Sequence, residues 1–232
     1  MVTTVPDSPQ ATAKKSDATK ALILDTALRL FAERGYERTT MRAIATDAGL
    51  SVGNAYYYFD SKEHLVQGFY YRIADMHARA SAEVLAREQD FGARLHGVLR
   101  AWLEVAAPYH QFGSQFFKNA ANPASPLSPL SPESAPARDA AIGLLREVVE
   151  GSTAKMDPVL RPELPELLWL YQMGLVLYWV HDGSPDCTRT RTLLDSTAPL
   201  ISRAVGLSRL RVLRPLIQDA IPVVKNLLQP GR

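Results

Sequence analysis

The sequence predicts an all-α protein. Apolar residues recur three and four positions apart along most of the chain, which is the spacing of the buried face of an amphipathic helix. Thr40 and Ser51, residue types that favour the position just before a helix, precede two of these stretches. Gly35 and Gly49 stand where helices are expected to end in a left-handed residue. With 232 residues, 47% of them hydrophobic, the chain can bury a substantial core in one large domain or two smaller ones.

The composition indicates where the protein works. Its one cysteine, Cys187, excludes a disulfide within the chain, and residues 1–20 lack the apolar centre of a signal peptide. The longest apolar run, from Leu167 to Val180, is shorter than the roughly 18 residues that a membrane span needs. We therefore expect a cytoplasmic protein with no membrane partner.

Charge is distributed unevenly, although the formal net charge is only +2. Residues 63–187 carry 10 Lys and Arg against 15 Asp and Glu, whereas residues 188–232 carry eight against two. Several arginines of this basic end cluster near the start of the last predicted helix: Arg203, Arg209, Arg211 and Arg214. They either pair with the acidic middle of the chain or face solvent and attract an anionic ligand.

The N-terminal residues divide into an arm and a first helix. Residues 1–18 are polar, with scattered prolines and no apolar periodicity, and are expected to be disordered. An amphipathic helix is predicted over about residues 19–34, followed by Gly35. One apolar stripe runs along this helix: Ile23, Ala27, Leu30 and Phe31.

Two short helices and one long helix are predicted next. Thr40 is placed to cap a second helix that ends at Gly49, and Ser51 is placed to cap a third. Asp60 and Glu63, three residues apart, have the form of a capping box at the start of a long fourth helix.

The second and third helices have the arrangement of a helix-turn-helix, in which the second helix enters the major groove of DNA. Residues 19–65, through ALRLFAERGYERTTMRAIATDAGLSVGNAYYYFDSKEHL, resemble the DNA-binding domain of the tetracycline-repressor (TetR) family of bacterial regulators. The resemblance implies a three-helix DNA-binding domain joined by the long fourth helix to a C-terminal helical domain, residues 66–232. This second domain would bind a ligand and form the dimer.

The resemblance also implies a function. It implies a homodimeric transcriptional repressor that binds a palindromic operator in double-stranded DNA and is released by a small-molecule inducer. The alternatives are a helical interaction protein and an all-α enzyme, both without operator binding. The sequence does not support an enzyme, because it contains no HExxH spacing, no Gly-x-Ser-x-Gly elbow and no phosphate-binding glycine loop. We predict no catalytic residue, no metal site and no cofactor.

Residues 50–65, LSVGNAYYYFDSKEHL, place three tyrosines in a row. A phenol hydroxyl can donate to a phosphate oxygen without a long, flexible side chain, and its ring can pack on a thymine methyl. By position in the family motif, phosphate contacts are implied for Thr40, Ser51, Tyr56, Tyr58 and Lys62. Contacts to base edges or the adjoining backbone are implied for Arg42, Val52, Gly53, Asn54 and Tyr57.

Asn54 is the main candidate for base recognition, because its amide can form two hydrogen bonds with adenine. Gly53 would let the backbone of the third helix approach DNA closely. Ala55 and Phe59 are expected to face the core, and we expect Tyr57 to be the tyrosine that joins them.

The rest of the chain is predicted to be helical apart from one loop. A helix from about Phe91 ends before Pro108, and helical pattern resumes near Pro136. Residues 122–137 contain five prolines, which exclude helix and sheet alike and predict an extended loop. This loop is either an exposed connector or a cover over the mouth of a pocket.

Two later helices are predicted to form a subunit interface. The helix over about residues 163–181 is apolar all round from Leu167 to Val180, so that it needs a second buried surface. The helix over about residues 188–205 would supply the other half of a symmetric four-helix contact, as the TetR resemblance implies. A final helix, about residues 208–228, has no counterpart in that resemblance.

A ligand pocket in the C-terminal domain is implied mainly by the resemblance. Its proposed lining combines aromatic walls with a few polar groups, as small-molecule sites do. The lining residues are Ile73, Trp102, Tyr109, Phe112, Phe116, Trp169, Gln172 and Met173. Each of these side chains would also suit the core of a helical domain.

Overall fold

The helices of the structure confirm the predicted all-α class. The computed structural model describes residues 9–122 and 124–228, and no β-strand occurs among them. These residues form α1 (Pro9–Arg34), α2 (Met41–Asp47), α3 (Val52–Tyr58), α4 (Lys62–Arg87), α5 (Phe91–Ala106), α6 (His110–Ala120), α7 (Ala135–Glu150), α8 (Leu160–Val180), α9 (Thr188–Leu207) and α10 (Arg214–Leu228). The chain divides after Phe69 into two compact units, so that α4 begins in the first unit and ends in the second. Within the described residues, no helix is both long enough and apolar enough to cross a membrane.

Helix α1 begins ten residues earlier than the sequence pattern predicts. The expected disorder of residues 1–18 is wrong for residues 9–18, which are helical, while residues 1–8 lie outside the described part of the chain. Alanine and lysine are frequent in residues 9–18, and both favour helix without needing a buried face. This stretch can therefore extend a helix that is anchored further along by Ile23.

The first unit is built around the predicted apolar stripe of α1. All four residues of that stripe are buried. They share the core of this unit with buried residues from the next three helices: Ile44, Ala45, Ala55, Phe59 and Leu65. The burial of Ala55 on α3 and of Phe59, directly after α3, confirms that these two residues face the core.

Short-range contacts at the helix ends follow the predictions for α2 and α3. Thr40 Oγ1 and Ser51 Oγ each accept a hydrogen bond from the main-chain N–H three residues later, at 3.1 Å, so both predicted caps are confirmed. Gly35 and Gly49 have φ angles of +84° and +68°, in the left-handed region where glycine carries no Cβ penalty.

The predicted capping box at the start of α4 is wrong. The helix starts one residue too late for Asp60 to cap it, and Ser61 Oγ accepts the hydrogen bond from the His64 N–H instead, at 3.1 Å. The Glu63 side chain is hydrogen-bonded to the side chain of Ser61 and not to Asp60. Its carboxylate accepts a hydrogen bond from the Tyr36 hydroxyl at 2.8 Å, which links the start of α4 to the turn after α1.

In the second unit, α7 packs on α8 and α5 packs on α9. Glycine permits two close helix crossings in this unit. A Cβ on Gly97 would lie 2.5 Å from Cγ2 of Val84, and a Cβ on Gly113 would lie 2.9 Å from the ring of Trp179. Glycine therefore lets α5 approach α4 and lets α6 approach α8.

A buried arginine joins the ends of two helices in the second unit. Arg94 on α5 is 5% exposed. Its guanidinium donates hydrogen bonds to the carbonyl oxygens of Leu85 and Glu88 at the end of α4, at 2.7 and 2.6 Å. It also donates to those of Glu147 and Val148 at the end of α7, at 2.6 and 3.1 Å. The partial negative charge at the C-terminal ends of two helices thus balances the buried cation.

The proline-rich loop predicted within residues 122–137 forms consecutive turns, so the expectation of an extended segment is wrong. The N–H groups of Ser128, Ser131 and Ser134 each donate to the carbonyl oxygen three residues earlier, at 2.9 to 3.2 Å. A proline follows each accepting serine, and proline is favoured at that position of a turn. Leu127 is buried, and its carbonyl oxygen accepts a hydrogen bond from the Tyr70 hydroxyl at 3.0 Å. The loop is therefore folded onto its own unit.

Candidate DNA interface and effector core

Helices α2 and α3 form a helix-turn-helix in the first unit. The turn between them is closed by a hydrogen bond from the Leu50 N–H to the Ala45 carbonyl oxygen, at 2.9 Å. Ile44 and Ala45 on α2 and Ala55 on α3 are completely buried, so each helix is held to the core through one face. This packing fixes the direction in which the other face of α3 points.

The outer face of α3 carries most of the side chains predicted to contact DNA. Gly53, Asn54 and Tyr56 are exposed, and Val52 is half-buried. Tyr57 is 80% exposed, so the expectation that it joins the core is wrong.

Helix geometry explains why Tyr57 points outward. Ala55 is the buried residue of this short helix, and the buried Phe59 follows the helix in extended backbone. Tyr57 lies two residues after Ala55, about 200° around the helix axis, and therefore points away from the core. Tyr58 is the half-buried tyrosine, and its ring packs edge to face on that of Tyr57, with centroids 5.1 Å apart.

Asn54 and Gly53 lie together in the first turn of α3. The Asn54 N–H is bonded to the Ser51 hydroxyl, while its side-chain amide is exposed. A Cβ added to Gly53 would meet none of the described atoms within 4 Å, so packing inside the protein does not require glycine there. The bare backbone of Gly53 is thus open to close approach by another molecule.

Lys62 lies in the first turn of α4 and is half-buried. Its ammonium group donates a hydrogen bond to the Tyr36 carbonyl oxygen at 2.9 Å and lies 4.4 Å from the centroid of the Tyr36 ring. An ammonium group has three donors, so the bond to Tyr36 leaves the predicted phosphate contact possible.

Helix α2 presents the remaining predicted contacts. Thr40 and Arg42 are exposed at its start. Arg29 on α1 forms an ion pair with Asp47 at the end of α2, and this pair joins the two helices. Arg29 also pairs with Glu33 on its own helix, with an N–O distance of 3.1 Å. All ten residues predicted to contact DNA are therefore exposed or half-exposed within residues 40–62.

The second unit contains an aromatic core. Trp102 on α5 and Trp169 and Trp179 on α8 are buried in one apolar cluster. The rings of Trp102 and Trp179 meet edge to face, with centroids 5.4 Å apart. His110 Nε2–H donates a hydrogen bond to the Trp179 carbonyl oxygen at 2.8 Å, and its ring also contacts the indole.

The structure brings part of the predicted pocket lining into this cluster. Four of the eight residues belong to it or pack against it: Ile73, Trp102, Trp169 and Met173. Phe112 and Phe116 are buried on α6, and their rings stack with centroids 5.2 Å apart. Neither residue belongs to the aromatic cluster. Tyr109 is partly exposed in the short turn before α6.

Gln172, the eighth predicted lining residue, is 2% exposed on the inner face of α8. None of the described residues donates a hydrogen bond to its side-chain carbonyl oxygen. Leu168 and Trp169, one turn before it, and Leu175, one turn after it, are also buried. A buried amide oxygen without a donor is destabilising by about 1–3 kcal/mol, unless another molecule supplies the bond.

A groove of about 510 Å³ lies elsewhere in the second unit, between α4 and α7. Its lining consists of Ala78, Ala82, Leu85, Ala86, Arg94, Leu144, Glu147, Glu150 and Gly151. None of the eight residues predicted to line a pocket belongs to this groove, so the groove gives no support to the predicted pocket.

Sequence reasoning missed three residues that organise the second unit, namely His77, Arg94 and Trp179. His77 is buried, its Nε2–H donates to the Val98 carbonyl oxygen at 2.8 Å, and burial lowers its pKa to about 4. A signal was available for His77, because it lies four and eight residues after the apolar Ile73 and Phe69, the spacing of one face of a helix. Arg94 gave no such signal, since an arginine next to an apolar residue is typical of a helix surface.

Apolar side chains are also exposed on α8 and α9. Leu177 is 47% exposed, and Tyr178 beside it is exposed to a similar extent. Leu200 and Leu207 on α9 are exposed as well. The all-round apolar character of α8 thus corresponds to an inner face in the core and an outer face that is apolar but uncovered in the single chain.

Two family models match the chain. The first, described as bacterial regulatory proteins of the tetR family, covers residues 23–68. The second, described as the tetracyclin repressor-like C-terminal domain, covers residues 94–222.

A curated relative matches part of the chain. The HTH-type transcriptional repressor KstR2 of Rhodococcus jostii (strain RHA1) is 36% identical over 88 residues. The match covers 38% of this chain and 43% of the relative, so it spans less than half of the relative's length.

Two solved structures resemble the fold over most of the chain. The TetR transcriptional regulator from Nitrosomonas europaea (ATCC 19718) aligns with a TM-score of 0.62 at 17% identity, over 79% of this chain and 97% of that one. FadR from Bacillus subtilis, solved in complex with stearoyl-CoA, aligns with a TM-score of 0.61 at 17% identity, over 78% and 97%. At these identities the likeness concerns the fold. The C-terminal family model alone covers more than half of the chain, and the protein therefore belongs to the TetR family of bacterial transcriptional regulators.

Proposed function

We propose that the protein is a homodimeric transcriptional repressor that binds a palindromic DNA operator and leaves it when a small molecule binds. The observation that carries this proposal is the outer face of α3, where Asn54 and Tyr57 are exposed on a helix whose other face is packed in a helix-turn-helix. An amide and a phenol at these positions suit the hydrogen-bonding edges and methyl groups of the major groove.

The predicted DNA contacts divide into two roles. Five residues contact phosphates, namely Thr40, Ser51, Tyr56, Tyr58 and Lys62. Five face base edges or the adjoining backbone, namely Arg42, Val52, Gly53, Asn54 and Tyr57. Phosphate contacts fix the position of the protein on the duplex, and base contacts select the sequence. Residues 1–62 carry eight Lys and Arg against seven Asp and Glu, so general attraction to DNA is weak and these specific contacts supply most of the affinity.

A dimer is needed to place two copies of α3 on a palindrome. The uncovered apolar side chains of α8 and α9 support an interface there, because a second copy would remove Leu177, Leu200 and their neighbours from water. A symmetric contact between these helices uses the same surface twice, as a two-fold dimer requires.

The effector is proposed to bind in the aromatic core of the second unit. The FadR neighbour from Bacillus subtilis was solved with stearoyl-CoA, which supports a ligand site in this fold. Here the buried tryptophans offer apolar walls and Gln172 offers a polar group. The effector releases DNA only if it binds the released form more tightly than the bound form. Helix α4, which belongs to both units, is the proposed carrier of that change.

Gel-shift and footprinting experiments with the DNA upstream of the protein's own gene test operator binding. We expect the wild-type protein to protect an inverted repeat and to leave an unrelated duplex of the same length unbound at the same salt concentration. The Asn54→Ala variant is the matched protein control and should lose preference for the repeat. If neither this DNA nor genomic fragments selected on the protein contain a protected repeat, operator binding is excluded and the helical interaction protein is favoured.

A further inference from the structure

We propose that Gln172 is the hydrogen-bonding anchor for an uncharged, largely apolar effector. This inference rests on the proposed effector site in the aromatic core of the second unit. It concerns the chemical class of the ligand, which the TetR family relationship leaves open. The starting observation is the Gln172 carbonyl oxygen, which is buried on α8 and receives no hydrogen bond from the described residues.

Most other buried polar side chains of the second unit have partners. His77 and Arg94 donate to main-chain carbonyl oxygens, and the Asp182 carboxylate accepts hydrogen bonds from Ser184 and Thr190. In the described residues, the buried side-chain atoms without a partner are the Gln172 carbonyl oxygen and the Ser81 hydroxyl. A leucine in place of Gln172 would remove the destabilising amide, so its presence indicates a use outside the packing of the free protein.

The position of Gln172 supports a ligand contact over a contact within the fold. It lies in the middle of the inner face of α8, between Trp169 one turn before it and Leu175 one turn after it. Every other buried side chain on that face is apolar, so Gln172 is the single polar point of the wall that α8 contributes. A ligand held by aromatic and aliphatic walls with one polar point would be oriented by that point.

A charged group of a ligand would be energetically unfavourable beside Gln172, because the buried charges of the second unit already have partners. The buried charged side chains of the described residues are Arg94, Asp157 and Asp182, and each is already bonded within the protein. A carboxylate or an ammonium group brought into this core would therefore be desolvated without a counter-ion. A hydroxyl or an amide N–H, in contrast, would complete the hydrogen bond that Gln172 lacks.

Tryptophan fluorescence gives a direct readout of this site that needs no DNA. The chain has three tryptophans, and Trp102, Trp169 and Trp179 all belong to the buried cluster of the second unit. Three probes with the same alkyl chain and different head groups test the proposal: 1-decanol, decanoate and decyltrimethylammonium, each titrated below its aggregation limit. We expect 1-decanol to change the fluorescence of the wild-type protein at the lowest concentration of the three.

Substitution of Gln172 tests the anchor itself. Gln172→Leu should raise the dissociation constant for 1-decanol by roughly tenfold, the ratio expected for one lost hydrogen bond, and leave the two charged probes unaffected. Gln111→Leu, the same substitution at an exposed position of α6, is the matched control and should bind like the wild type. Gln172→Met serves the same purpose if the leucine variant does not fold.

Three outcomes would overturn the proposal. These are equal affinity of wild type and Gln172→Leu for 1-decanol, tighter binding of decanoate or the ammonium probe, and failure of all three probes to bind the wild type. The first outcome would mean that a buried water satisfies the amide. Operator binding by the same protein, measured by gel shift, is independent of these results, so failure of the anchor and failure of the proposed repressor function are distinguishable.

Discussion

The Lys62 ammonium group donates a hydrogen bond to the Tyr36 carbonyl oxygen at 2.9 Å and lies 4.4 Å from the centroid of the Tyr36 ring. The same tyrosine donates its hydroxyl proton to Glu63, so two consecutive residues of α4 hold the turn that follows α1. These contacts restrict where the ammonium group can be. A positioned cation loses less conformational freedom on binding a phosphate than a free lysine does.

Lys62→Gln should therefore weaken binding to all DNA sequences alike. Removing one phosphate contact should reduce the slope of log affinity against log salt concentration by about 0.9, with base preference unchanged. The measurement is a salt titration of operator binding by fluorescence anisotropy. Lys155→Gln, at an exposed position of the second unit, is the matched control. An unaltered slope for Lys62→Gln would argue against the phosphate contact.

Asn54→Ala should change base preference instead. If the amide bonds one adenine in each half-site, its loss should cost about 1–3 kcal/mol in operator binding and relax selectivity at that base pair. The measurement is a competition with operators substituted at single positions. Thr46→Ala, at an exposed position of α2, should retain the wild-type preference. A variant that loses affinity equally for every operator would show that Asn54 does not select a base.

Much of the first unit could be predicted because its determinants are local. The Thr40 and Ser51 caps each involve an N–H three residues away, and the turns at Gly35 and Gly49 depend on the glycine itself. The exposure of Tyr57 was also encoded locally, in its spacing from the buried Ala55. It was missed because a run of three aromatic residues suggested that one of them is buried.

The second unit was harder to predict because its polar contacts join distant parts of the chain. The four carbonyl partners of Arg94 lie six to 54 residues away, so no short sequence window contains them. The loop was a different case. Its Ser-Pro-Leu repeat encodes consecutive turns, whereas the number of prolines alone predicts only the absence of helix and sheet.

A charge on the outer face of α8 should disrupt the proposed dimer. Leu177→Glu would bury an unpaired carboxylate in the interface and should raise the dimer dissociation constant by roughly a hundredfold or more. Sedimentation velocity should then detect monomers, and operator binding should be lost because one half-site is bound weakly. Ala140→Glu, on an exposed position of α7, is the control and should remain dimeric. The proposed interface is wrong if Leu177→Glu and the equivalent change at Leu200 both leave the dimer intact.

Arg94→Lys should destabilise the second unit even though it keeps the charge. One ammonium group cannot reach the ends of both α4 and α7, so at least two carbonyl oxygens lose a charged donor, at a cost of about 3 kcal/mol or more. Urea unfolding measures this loss. Arg100→Lys is the matched control, because Arg100 is exposed on the same helix and pairs with Glu104 at the surface. Equal stability of the two variants would mean that Arg94 does not join the helix ends.

The buried His77 should make stability depend on pH. Burial lowers its pKa to about 4 in the folded protein, against about 6.5 in an unfolded chain. Between these values the unfolded chain binds a proton that the folded protein does not, so the free energy of unfolding falls as the pH falls. From pH 7 to pH 5 this loss amounts to about 2 kcal/mol.

In His77→Leu the imidazole is absent, and urea unfolding at the two pH values should show a correspondingly smaller loss. His64→Gln removes an exposed histidine and should behave like the wild type. If wild type and His77→Leu lose the same stability over this range, His77 is not the neutral, buried group that the structure describes.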